Sequence, residues 1–248
     1  MNFPVVLAIL SLFVLWFSGW LGAYLRARRK DVKEPTGEDF SIALTATLTL
    51  LGLIIGFSFS MAMSRYDQRR NYEEEEANAI GTEYLRAGLL PASDAGRVKS
   101  LLTSYLDQRI LFYESRSDAK IPEINAETAQ LQDQLWDAVQ APAAAQPTPV
   151  NALVAAGMND VLNSQGYTQA AWLNRVPVGA WLLMVFVALS CNVLLGYSEQ
   201  HTRRMTLVVF PLILTVPFVL IADIDSPRGG IIRVVPQNLI ALSQSLQG

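Results

Sequence analysis

Cysteine and histidine are nearly absent from this chain: Cys191 and His201 are the only ones in 248 residues. A lone cysteine inside an apolar run excludes an intrachain disulfide and leaves the redox compartment open. A lone histidine excludes a His-rich metal centre. The motifs of common chemistries are missing too, with no G-x-S-x-G, no P-loop, no zinc-spaced His/Cys set and no G-x-G-x-x-G. Catalysis is therefore not expected, and no metal or cofactor is implied. Positive charge is not in excess either: 19 Lys and Arg against 22 Asp and Glu give a net charge of -3, without the basic stripe that nucleic acid would call for. Strand-like alternation and internal repeats are also lacking.

What is present is long uncharged runs. At 51% hydrophobic and 17% charged, the chain is greasy for a soluble protein yet too polar to be embedded throughout, so membrane spans plus a water-facing part are expected. Residues 1–25 carry no charge and end abruptly at RARRK, Arg26 to Lys30. Without a basic start or a small-residue cleavage site, this reads as a retained transmembrane helix, with Trp16, Trp20 and Tyr24 suited to an interfacial belt. A second run, Phe40 to Ser64, has 25 residues without one ionisable side chain. At about 1.5 Å per residue it is long enough to cross a roughly 30 Å hydrocarbon core. Its eleven Leu, Ile and Phe favour insertion by roughly 5 kcal/mol together, which outweighs its Thr, Ser and Gly. Val176 to Ser198 and Met205 to Ala222 are the third and fourth runs, joined by EQHTRR into a hairpin. Pro211 and Pro217 should bend the last helix, and Asn192 should hydrogen-bond between helices.

Between the spans the composition changes. From Arg65 the second helix should continue out of the membrane for several turns, since no breaker occurs before Gly81. Pro91 opens another helix with Val98, Leu101, Leu102, Tyr105 and Arg109 on one face, and a further one holds Leu131, Leu135 and Val139. The Pro/Ala-rich stretch Ala141 to Val150 reads as an extended linker, and Asn151 to Asn174 as a helix leading back to the membrane. The expected fold is thus an all-α integral membrane protein: two spans within 1–64, a helical extramembrane domain over 65–175, two spans within 176–224, and a C-terminal tail, 225–248, ending in a short amphipathic helix.

The second span has an unusual polar face. Thr45, Thr49, Gly52, Gly56 and Ser60 recur at spacings of four and three, with Leu53 and Phe57 at the edge. One reading is close helix packing through the small-xxx-small pair Gly52 and Gly56. The other is that the face lines a passage, with Thr49, Leu53 and Phe57 stacked as rings of a narrow neck that gates by dewetting. The acidic run Glu73 to Glu76 has two readings as well: a solvated surface pairing with Arg69, Arg70 and Arg86, or, in a ring of subunits, negative charge at a pore mouth, with Glu73 and Glu76 favouring cations. Asp223 and Asp225, at the end of the fourth span, are boundary residues or a second set of cation-facing carboxylates.

GLIIGFSFSMAMSRYDQRR, with its Gly-Phe pair followed by Arg65 and Tyr66, resembles the second transmembrane helix of bestrophin channels. EEANAIGTEYLR, containing Asn78 and Gly81, and the exit IADIDSPRGG, containing Pro227 and Gly229, resemble the bacterial bestrophin-like domain of uncharacterised function. Bestrophins are pentameric ion channels with an axial pore whose neck comes from three residues of the second helix spaced by four. Matched on the Gly-Phe pair, the resemblance implies Thr49, Leu53 and Phe57. It also implies a homo-oligomer in a bacterial cell membrane, with lipid and small inorganic ions as partners. The acidic run that forms the calcium clasp of animal members is missing here, so calcium gating is not implied. Orientation stays open: seven Lys and Arg in the two short loops against six near the opposite ends lean toward an outside N-terminus, whereas the family's topology places both termini and the middle segment in the cytoplasm. The expected function is passive ion permeation; the alternative is a non-conducting membrane sensor or scaffold whose helical domain binds a partner protein.

Overall fold

The computed structural model of the protein describes residues 3–28, 37–198 and 203–247. His201 and the loop cations Arg29, Lys30 and Lys33 lie outside them. The described residues form eight α-helices and one 3-10 turn, with no strand among them: α1 Phe3–Arg28, α2 Gly37–Ala87, α3 Ala92–Glu114, the turn Asp118–Lys120, α4 Ile121–Ala145, α5 Pro149–Leu173, α6 Val178–Ser198, α7 Arg203–Asp225 and α8 Gln237–Gln247. Four helical stretches are long and apolar enough to cross a membrane, in α1, α2, α6 and α7. The protein is an all-α integral membrane protein. Its chain divides into two compact units, one formed by Met1–Ser64 with Arg175–Ile232 and the other by Arg65–Asn174 with Arg233–Gly248.

In the membrane unit, α1 packs on α6 and α7. Glycine makes the α1/α6 crossing possible. A Cβ at Gly22 would overlap the Val193 carbonyl oxygen, and one at Gly196 would overlap that of Gly19, so the two backbones meet without intervening side chains. Arg26 at the end of α1 donates to the Tyr197 carbonyl at 2.8 Å, satisfying an orphan acceptor near the end of α6. Phe17, Trp20 and Tyr24 stack in succession with centroids 5.6 Å apart along an exposed face of α1, and Trp16 is exposed as well. Phe13, Phe186, Ile213 and Val216 are also exposed, which in water would be a liability and in hydrocarbon is the normal outer surface. Helix α7 runs on through Pro211 and Pro217, and the Thr215 hydroxyl donates to the Pro211 carbonyl at 2.9 Å. The Asn192 amide donates to Ala188 of its own helix, where the sequence suggests a bond between helices.

The helical unit is built on one apolar core. Ile80 of α2, Leu102, Tyr105 and Leu106 of α3, Leu135 of α4, Met158 and Val161 of α5, and Leu239 of α8 are all fully buried in it. Phe112, Tyr113 and Trp172 meet edge to face, with centroids 5.0 to 5.6 Å apart, which adds directional preference to the burial. Two expectations are corrected here. The stretch 141–150 is not an extended linker: α4 continues to Ala145 with Pro142 inside its last turn, and α5 begins at Pro149. Asn151 explains this, since its amide donates to the carbonyls of Pro142 and Gln146 at 3.2 and 2.7 Å, while the Thr148 side chain caps α5 by accepting from the Asn151 N–H. Nor is 225–248 a separate tail, because its first residues belong to the membrane unit and α8 packs on α3 in the helical unit.

Candidate functional site: the open face of the second helix

Helix α2 has two faces in its apolar stretch. Leu51, Ser58 and Ala62 are buried, at spacings of seven and four that keep them on one side. On the opposite side Thr45, Thr49, Gly52, Leu53, Gly56, Phe57 and Ser60 are all exposed, Leu53 by 53% and Phe57 by 69%. No described atom lies within 4 Å of where a Cβ would stand at Gly52 or Gly56, so neither glycine packs on another described element of its own chain. Only 6% of the most apolar window of α2 is buried within the chain, against 50% for that of α7. The Thr49 hydroxyl donates to the Thr45 carbonyl at 2.9 Å, so its donor is satisfied inside the helix and the position is less polar than its composition suggests.

The acidic run divides by helical phase. Glu74 and Glu75 are exposed, whereas Glu73 and Glu76 are 1% and 0% exposed. The placement of Glu73 and Glu76 on a wetted surface or mouth is therefore corrected: both carboxylates are committed inside their own helical unit. Glu73 accepts from the N–H of Asn238 and of Leu239, at 2.9 and 3.0 Å, and from the Asn238 amide at 2.7 Å. These are first-turn donors of α8, which is preceded by Pro236, a residue with no side-chain acceptor, so Glu73 acts as a helix cap supplied by another helix. Replacing Glu73 by alanine should cost about 1–3 kcal/mol, because these buried donors lose their acceptor. Faster amide exchange confined to residues 237–247 checks this, and unchanged exchange there would refute the cap.

Glu76 is held by Arg109, whose Nε donates to Oε1 at 2.5 Å, and by the hydroxyls of Tyr113 and Thr168, each 3.2 Å from Oε2. The Arg109 guanidinium lies over the Phe112 ring, 4.5 Å from its centroid. Burial, the largest single influence, would lower the Arg109 pKa, but the Glu76 carboxylate together with the Tyr105 and Tyr113 phenols outweighs it and the value is raised. Burial, and next the same carboxylate, push the Tyr105 and Tyr113 phenols above their ordinary value, so both stay neutral, Tyr113 donating to Glu76 and Tyr105 accepting from the Gln132 amide.

Asp223 and Asp225 are likewise engaged, within the membrane unit. Asp223 accepts from the N–H of Ile231 and Ile232, both at 2.7 Å, and Asp225 accepts from that of Val176 at 2.9 Å. Arg175 donates to the Asp225 carbonyl at 3.2 Å. A carboxylate at a helix C-terminus is disfavoured by the dipole, and these backbone donors offset that. The exit turn needs Gly230, where a Cβ would overlap the Asp223 carbonyl oxygen; Pro227 is buried and Gly229 exposed in the same turn. Elsewhere, Arg65 donates to the Asn174 side chain, Tyr66 packs on the core of the helical unit, and Asn78 is exposed. A Cβ at Gly81 would stand 3.1 Å from Leu242, so α8 lies directly over it. Among the described residues no group of three His, Cys, Asp or Glu could hold a metal.

The sequence reading missed Arg109 as an ion-pair partner, although a charge in phase with Val98, Leu102 and Tyr105 is itself a signal that a buried counter-charge exists.

In fold the chain is similar to bacterial bestrophin homologues from Klebsiella pneumoniae. One crystal structure, phased with zinc, is 16% identical with a TM-score of 0.66, covering 95% of this chain and 98% of that one. A point variant is 15% identical with a TM-score of 0.65 over the same shares, and another is 15% identical with a TM-score of 0.66 over 100% of this chain and 96% of that one. No curated protein matches the chain. The sequence profile of the Bestrophin-like domain matches residues 6–239, and the chain belongs to the Bestrophin-like domain family.

Proposed function

We propose that copies of this chain assemble around the open face of α2 into a passive ion channel, a pentamer on the resemblance to bestrophins, in a bacterial cell membrane. The observation that carries this reading is that Thr49, Gly52, Leu53, Gly56 and Phe57 are exposed in the protomer, with no described atom within 4 Å of a Cβ at either glycine, although they sit in the middle of a membrane span. A single four-span subunit has too little interior for an aqueous route, so conduction requires the assembly. Around a symmetry axis, Leu53 and Phe57 form apolar rings that resist wetting, with Thr49 one turn before them. Gly52 and Gly56 let neighbouring copies of the helix approach. With Glu73, Glu76, Asp223 and Asp225 holding internal donors, any bias toward cations falls to the exposed Glu74 and Glu75.

The test is conductance of the purified chain in planar bilayers together with its mass in detergent. The double substitution Leu53→Ala and Phe57→Ala should widen and hydrate the neck and raise the unitary current. A ring-sized assembly with current unchanged by that substitution would overturn the neck assignment. A monomer or dimer that passes no current would favour a membrane sensor or scaffold, a role for which Leu85 and Leu173, both exposed on the helical unit, offer docking surface.

A further inference from the structure

Near the end of α2, the Glu83 side chain is fully buried and neither carboxylate oxygen has a hydrogen-bond partner among the described residues. It is pressed against α5 at Gly157, where a Cβ would overlap both Glu83 Oε2 and the Arg86 guanidinium. Two charged groups act on it: Arg86 on its own helix, 3.9 Å away and itself partly exposed, and Asp160 on α5. On α3, Lys99 is held over the Tyr84 ring, 4.9 Å from its centroid. A carboxylate closed off from water with no N–H or O–H donor is far less favourable than the neutral acid. Glycine at 157 leaves room for the Glu83 carboxyl where it stands; a Cβ there would require the ends of the Glu83 and Arg86 side chains to move.

We infer that Glu83 is a proton-binding site of the helical unit: as the neutral acid it lets α5 close on α2 at Gly157, and losing the proton loosens that contact. The inference stands on the packing and does not depend on whether the protein conducts. Burial, opposed by Arg86 and reinforced by Asp160, pushes the Glu83 pKa from 4.5 up to about 8. The sign follows from linkage. The closed contact holds a proton that the opened state, with an ordinary carboxyl pKa, releases. Closure is therefore fully favoured in acid and weakens as pH rises from about 4.5 to about 8. Over that window the opening equilibrium should grow about tenfold per pH unit and then level off.

Amide exchange of α5 around Gly157, followed in the full-length protein in detergent across this pH range and corrected for intrinsic base catalysis, tests the proposal. The wild type should lose about tenfold of protection per pH unit, and Glu83→Gln should be flat. Asp160→Asn should move the levelling point to lower pH and Arg86→Gln to higher pH, shifts that a purely structural role for Glu83 would not produce. Both of those positions have access to solvent, so these variants keep the test available if Glu83→Gln fails to fold. A protonated carboxyl stretch in the infrared at neutral pH, lost in Glu83→Gln, gives an independent readout. A wild-type exchange profile as flat as that of the glutamine variant, or a Glu83 carboxyl already ionised at pH 6, would overturn the proposal.

Discussion

Arg109→Met should destabilise the folded helical unit by about 3–5 kcal/mol, because it leaves the Glu76 carboxylate buried without its counter-charge. Tyr113 and Thr168 still donate to Glu76, but hydroxyl groups do not neutralise it. Glu76→Leu should cost a similar amount, since the guanidinium is then stranded in the core over the Phe112 ring without a counter-charge. The double variant should recover most of the loss, because two apolar side chains of similar volume need no desolvation of charge. Unfolding of the full chain in detergent, as a double-mutant cycle, measures all three. A cycle in which the losses simply add would mean that the two side chains do not act as a pair.

The second large effect lies in the membrane unit. Gly196→Val and Gly22→Val each place side-chain carbon where a backbone carbonyl of the facing helix stands, and backbone cannot step aside as a flexible side chain can. Overpacking of this kind costs about 1–3 kcal/mol and sometimes more. Loss of the α1/α6 crossing should show as a lower midpoint for thermal unfolding and as protease access to residues near Tyr197. The control is built into the same unit: Gly52→Ala and Gly56→Ala have open space in the protomer and should leave its stability unchanged or slightly improved. If those two alanines instead destabilise the separated protomer as much as the valines do, the open face of α2 is misassigned.

The four spans were legible because insertion depends on length and the absence of charge, both of which can be counted directly. The helical middle followed from apolar spacing, as with Val98, Leu102 and Tyr105. The fate of the acidic run was not, since four successive glutamates point all round a helix and only the positions of α3 and α8 decide which two are buried. The stretch 141–150 misled for a similar reason: proline and alanine suggest extension, and it takes the Asn151 amide to hold the end of α4 in helical form. Gly52 and Gly56 announced a packing face by their spacing, yet the glycines that bring two helices of one chain together are Gly22 and Gly196, far apart in sequence and silent until the helices are placed.

The cap that Glu73 places on α8 joins positions 165 residues apart, and the membrane hairpin of α6 and α7 is strung between them. Such a contact closes a long loop, so it forms late. The order of assembly is constrained accordingly. A fragment ending at Asn174 would contain most of the helical unit, yet would lack the residue that fills the Leu239 slot and the backbone donors that Glu73 requires. Maturation of the water-facing half thus waits on synthesis of α8, which the chain reaches only after the membrane hairpin.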